Sequence, residues 1–298
     1  MNSKKSQITL FIVLGVVLII LVGLVMFFRG YAAKRQIQRE VTLVQQESER
    51  SKPIRAFVEQ CLEKQTKEGI LLLGKQGGYI FKTDDGTQKG LTEMVGVENT
   101  DYAKDTSGST AVYIPFFIKE SGAVLFPLQP LQGAGRSVAN QLEFFLNTTV
   151  AECADFSTFQ LQGIRVTPQK KDVAVQINEN SVAVDFTYPL EAEYIKTGQK
   201  ELIQGFSTSI AVRLKPSYEL ANAALQFIRE DPLHHQPVNE GSLKNALLPV
   251  TPPNMDISVE NGASTAYDII RVSDTDSRYI VAGESSTFSF GKDNWVIT

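Results

Sequence analysis

Histidine and cysteine are nearly missing from this sequence: there are two of each, His234, His235, Cys61 and Cys153, in 298 residues. A structural zinc site needs four such ligands, and a catalytic triad needs a histidine placed by the fold. Neither has much to be built from here. Basic excess is also lacking. The formal net charge is -4, which argues against a general nucleic-acid binder. No Gly-Lys-Ser/Thr phosphate loop, nucleophile elbow, kinase set or metalloprotease helix occurs. The glycines of "KQGGY" end a helix instead. These absences point away from an enzyme with a recognisable motif, and no cofactor is expected.

What is present is one long uncharged run. From Ile8 to Phe28 every residue is apolar except Thr9. At 1.5 Å per residue such a run covers roughly 30 Å, the thickness of a bilayer's hydrocarbon core. In lipid the backbone must satisfy its own hydrogen bonds, so the run is expected to be helical, with the bilayer as its partner. A cleaved secretory signal fits less well, because its apolar region is shorter and a small-x-small site follows it. Beyond Arg29, Ile37, Val41 and Val44 make a narrow stripe at helical spacing, uninterrupted by Gly or Pro. One helix from Gln7 to Arg50 would be roughly 65 Å long, half in the membrane and half amphipathic.

Lys4-Lys5-Ser6-Gln7-Ile8-Thr9, followed by this run, resembles the class III signal sequence of archaeal type IV pilin-like proteins. The resemblance implies cleavage between Ser6 and Gln7, with the apolar helix kept on the mature subunit, free to self-assemble. Phe11 departs from the pattern, since the fifth mature position is often Glu in assembling pilins. A plain single-span anchor therefore stays open. The stretch "PIRAFVEQCLEKQTKEGILLLGKQGGYI" is similar to large single-span surface proteins of small-genome archaea. That likeness implies an architecture and no activity.

Lys4 and Lys5 precede the span, and Arg29, Lys34, Arg35 and Arg39 follow it. The count alone would keep the large domain inside. Three features favour the opposite: the N-in insertion that the signal resemblance implies, the two cysteines, and the N-glycosylation sequon at Asn147-Thr148-Thr149. The expected location is the cell membrane, with the C-terminal domain outside.

Residues 51–298 read as an α+β domain, an antiparallel sheet with packed helices, with a candidate subdomain boundary near 155–170. Ser51 and Pro53 start a helix whose apolar positions run Ile54, Phe57, Val58, Cys61, Leu62, Leu72, Leu73 and stop at Gly74. A second helix starts near Ser137, with Val138, Leu142, Phe145, Leu146, Val150 and Cys153 on one face. Both cysteines thus lie on core-facing stripes. They are either two buried thiols or a disulfide closing a loop of about 90 residues, worth about 4 kcal/mol in the chain-entropy treatment.

"DVAVQINENSVAVDFTY" is a hairpin with one buried face. "AVYIPFFI", "AVLFPL", "ELIQGFSTSIAVRL", "AYDIIRVSD", "RYIVAG" and "STFSFG" add strands. "YELANAALQFIRED" and a short stretch near Leu243 add helices, and 83–110 is expected to be an exposed excursion. Asp84-Asp85-Gly86 and Asp274-Thr275-Asp276-Ser277 are the acidic turns that a hard cation would favour, although neither matches an EF-hand loop. Ordinary Asp turns account for them better. His234-His235 sit in a proline-flanked loop. No metal site is assigned.

The processing expectation has a direct check. Mass spectrometry of the protein extracted from native membranes should find Gln7 as the first residue. A chain starting at Met1 would remove the pilin-type reading, and one starting beyond Phe28 would make the run a cleaved signal.

Overall fold

In a computed structural model, residues 49–81, 102–105, 112–118, 128–133, 137–231, 236–261, 267–281, 284–285 and 287–293 are described. The chain divides into two compact units, Met1–Lys52 and Pro53–Thr298. Among the described residues no helix is long and apolar enough to cross a membrane. The run 8–28 and the amphipathic extension lie outside the described residues.

Helix α1 (Lys52–Lys75) has proline in its first turn, where the missing N–H has no partner to lose. Of the expected stripe Ile54, Val58, Cys61, Leu62 and Leu73 are buried, whereas Phe57 and Leu72 are only partly so, and Ile70 joins the buried face instead. The helix passes Gly74 and closes at Gly77, whose φ of 63° suits glycine. Gly78 N–H donates to Leu73 O (2.7 Å) and Gly77 N–H to Gly74 O (3.4 Å), which is a Schellman ending. Helix α2 (Val138–Cys153) is capped by Ser137, whose hydroxyl accepts from Asn140 N–H at 3.1 Å. Its buried Gln141 accepts from Ile80 N–H (3.1 Å) and Phe81 N–H (2.8 Å), tying the exit of α1 to α2. A short helix α3 (Ser157–Leu161) follows.

The middle of the chain forms two three-stranded antiparallel sheets, each built on one hairpin plus a strand from elsewhere in the segment. Strands β3 (Ile164–Pro168), β6 (Leu190–Tyr194) and β7 (Gln199–Ile203) form the first, with β6 central. Strands β4 (Asp172–Ile177), β5 (Ser181–Thr187) and β8 (Phe206–Ala211) form the second, with β5 central. The expected hairpin is β4–β5, closed by Asn178 N–H donating to Ser181 O at 2.8 Å. Val182, Val184 and Phe186 are buried, while Asp185 and Thr187 are exposed. Arg55 of α1 reaches the break between β7 and β8. It donates to Gly205 O (2.7 Å) and Gln204 O (3.3 Å) and lies 5.2 Å over the Phe206 ring.

The five-stranded sheet has the order β1 (Tyr102–Asp105), β2 (Val112–Ile118), β13 (Thr287–Asp293), β10 (Tyr267–Asp274), β9 (Met255–Asn261). Three of its ladders are antiparallel, as expected, but β13 runs parallel to β2. Alternation along a strand marks its faces and carries no record of its partner, so this ladder was not legible. Strand β1 falls within the expected excursion 83–110. "RYIVAG" gives a 3-10 turn, Ser277–Tyr279, and only the two-residue β11 (Ile280–Val281), which pairs with β12 (Glu284–Ser285). "AVLFPL" lies outside the described residues except for Leu128. Helices α4 (Leu214–Glu230) and α5 (Glu240–Leu247) pack beside β10 and β9.

Most buried side chains, from Ile54 to Phe288, belong to one cluster. Ile114, Phe116 and Ile269 form a second. Ile269 and Ile270 are neighbours on β10 and join different clusters, so the sheet is apolar on both faces.

Two edge strands are capped by carboxylates. Glu143 of α2 accepts from Val175 N–H on β4, and Glu240 of α5 from Val259 N–H on β9, each at 3.0 Å. The Val259 hydrogen bond, then Lys244 at 2.9 Å, hold the Glu240 carboxyl below its ordinary value.

The ionised form of Glu240 is therefore the one the fold favours. Its contribution is full above the ordinary value of 4.5 and fades as pH falls through the lowered one. The difference in melting temperature between wild type and Glu240→Gln should be largest near neutral pH and close in acid. A Cβ at Gly74 would lie 2.1 Å from the Thr287 carbonyl oxygen, whereas one at Gly241 meets only Asn239 Oδ1 at 3.4 Å. Gly74→Ala should cost about 1–3 kcal/mol or more in urea unfolding, and Gly241→Ala should be neutral or stabilising by up to about 1 kcal/mol.

Candidate functional site

Several residues singled out by sequence cannot be placed. Ser6, Gln7, Asp84, Asp85, Gly86, His234 and His235 lie outside the described residues. Asn147 sits in the middle of α2, half-buried, with its Oδ1 buried and unpartnered. The two threonines of its sequon donate back to the helix, Thr148 to Phe144 O (3.3 Å) and Thr149 to Phe145 O (2.9 Å). Among the described residues no group of three or more His, Cys, Asp or Glu could hold a metal ion.

Cys61 and Cys153 are joined by a disulfide, with Cα atoms 5.8 Å apart across 92 residues of sequence. The bond links the buried face of α1 to the last residue of α2. Phe57, one turn before Cys61, meets Phe156 and Phe159 edge-on, at centroid distances of 6.2 and 5.6 Å. The disulfide thus borders an aromatic group that seats α3 on α1.

The acidic turn Asp274–Ser277 is occupied by arginine. Asp274 accepts a fork from Arg213, Nε at 2.7 Å and Nη2 at 2.6 Å. Arg213 also donates to Pro253 O (2.9 Å) and lies 5.0 Å over the Tyr279 ring. Asp276 caps the 3-10 turn and pairs with Arg278, and those hydrogen bonds hold its carboxyl far below the carboxylate range. The negative charge that would draw a cation is already neutralised.

A cavity of about 190 Å³ lies between the end of α4 (Phe227, Ile228, Asp231), the segment 236–239, and Ser242 of α5. Lys292 lines it. Lys292 on β13 stands directly across from Asp268 on β10. Their side chains are 1% and 0% exposed, with Nζ and Oδ2 3.8 Å apart. Asp268 Oδ2 accepts from Val238 N–H, and Lys292 Nζ donates to Gln236 O, both at 2.8 Å. The pair fastens the segment after α4 to the sheet.

Sequence reasoning missed both ion pairs, although one signal was present. In "YDIIRVSD" the residues Asp268, Ile270, Val272 and Asp274 share one face of β10, and Ile270 and Val272 are core. Two acids on a core-facing register each require a buried cation.

No protein-family model, curated protein or solved structure matches the chain.

Lys292→Met would leave Asp268 buried without its cation and should cost about 3–5 kcal/mol in denaturant unfolding. The double variant Lys292→Met/Asp268→Asn keeps an acceptor for Val238 and should cost less than the sum of the single changes, with a coupling of about 1–3 kcal/mol. Additive costs would show that the two side chains do not act as a pair.

Proposed function

We propose that this chain is a membrane-anchored cell-surface protein with a structural or adhesive role. The apolar run 8–28 is its single span, and the unit Pro53–Thr298 stands outside the membrane. The observation that carries this reading is the Cys61–Cys153 disulfide. Such bonds persist chiefly where no thiol pool reduces them, as outside the cell. Both buried ion pairs are engaged with the protein's own backbone, which suits a scaffold that presents surface. The Lys4–Thr9 signal supports a pilin-like subunit that assembles through its N-terminal helix.

A second reading keeps the anchor and drops polymerisation. It is favoured by Phe11, which stands where an assembling pilin often has glutamate. In that case the domain binds a partner or ligand as a single ectodomain.

Protease added to intact cells should digest the domain and leave a membrane-protected N-terminal fragment. Maleimide should label the unfolded, unreduced protein at neither cysteine, and at both after reduction. A domain that is protected until the cells are lysed, or cysteines that label without reduction, would overturn the external location. In the isolated protein, Cys61→Ser with Cys153→Ser should lower stability by about 4–5 kcal/mol in the chain-entropy treatment. Filaments seen by electron microscopy on expressing cells, and lost with the chain, would decide between the subunit and the lone ectodomain.

A further inference from the structure

We draw no further inference here: the strongest candidate, the cavity between the end of α4 and the start of α5 above the buried Lys292–Asp268 pair, carries nothing, because its buried charges are matched by each other and by the Gln236 and Val238 backbone and nothing in the structure shows what would fill it.

Discussion

The seating of β13 between β2 and β10 is the constraint on which the rest of the fold depends. Its backbone at Thr287 lies so close to Gly74 that no side chain fits between them. Phe288, buried on this strand, belongs to the same cluster as the inner faces of α1, α2 and the two three-stranded sheets. Residues from opposite ends of the domain thus meet at one strand. α1 is held again at Arg55, by the break between β7 and β8, and at Cys61, by α2. These three attachments lie along one helix face or its borders, so α1 serves as the axis on which the other layers are arranged.

β10 shows how charge is accommodated in such a core. Its inward register ends in an acid at each side of Ile270 and Val272. Burying a lone carboxylate is costly, so each end recruits a cation and backbone hydrogen bonds. Asp274 takes Arg213, which reaches it from the start of α4 and also binds the carbonyl of Pro253. Asp268 takes Lys292 from the neighbouring strand. Each pair fixes a connection that has few apolar residues of its own: the proline-rich approach to β9 in one case, the segment before α5 in the other. The pairs therefore act as position markers, a role for which buried polar groups suit better than interchangeable apolar contacts.

Local pattern was legible where a single period dominated. The start of α2 near Ser137, the Val182–Phe186 alternation and the helix around Leu220 follow from local signals and occur where those place them, while the α1 stripe holds except at Phe57, Leu72 and Ile70. The α+β class follows from the same signals. Pairing between distant strands was not legible. β9 and β6 do alternate, with Met255, Ile257 and Val259 in one and Leu190, Ala192 and Tyr194 in the other on the inward register, but alternation names no partner, and the parallel β2–β13 ladder depends on tertiary closure. The disulfide was one of two open readings, because a core-facing stripe is equally suited to a buried thiol. The acidic turn reads as an ordinary Asp turn, and its neutralising arginine, 61 residues away, lies beyond any local motif.

The parallel ladder joins Phe116 to Gly291, and that has a consequence for the order of events in the cell. A long loop must be closed before these residues can reward each other, which slows folding and keeps apolar surface uncovered meanwhile. The five-stranded sheet lacks its central strand until Thr287–Asp293 has left the ribosome. Until then the β1–β2 and β9–β10 hairpins have no strand to join them.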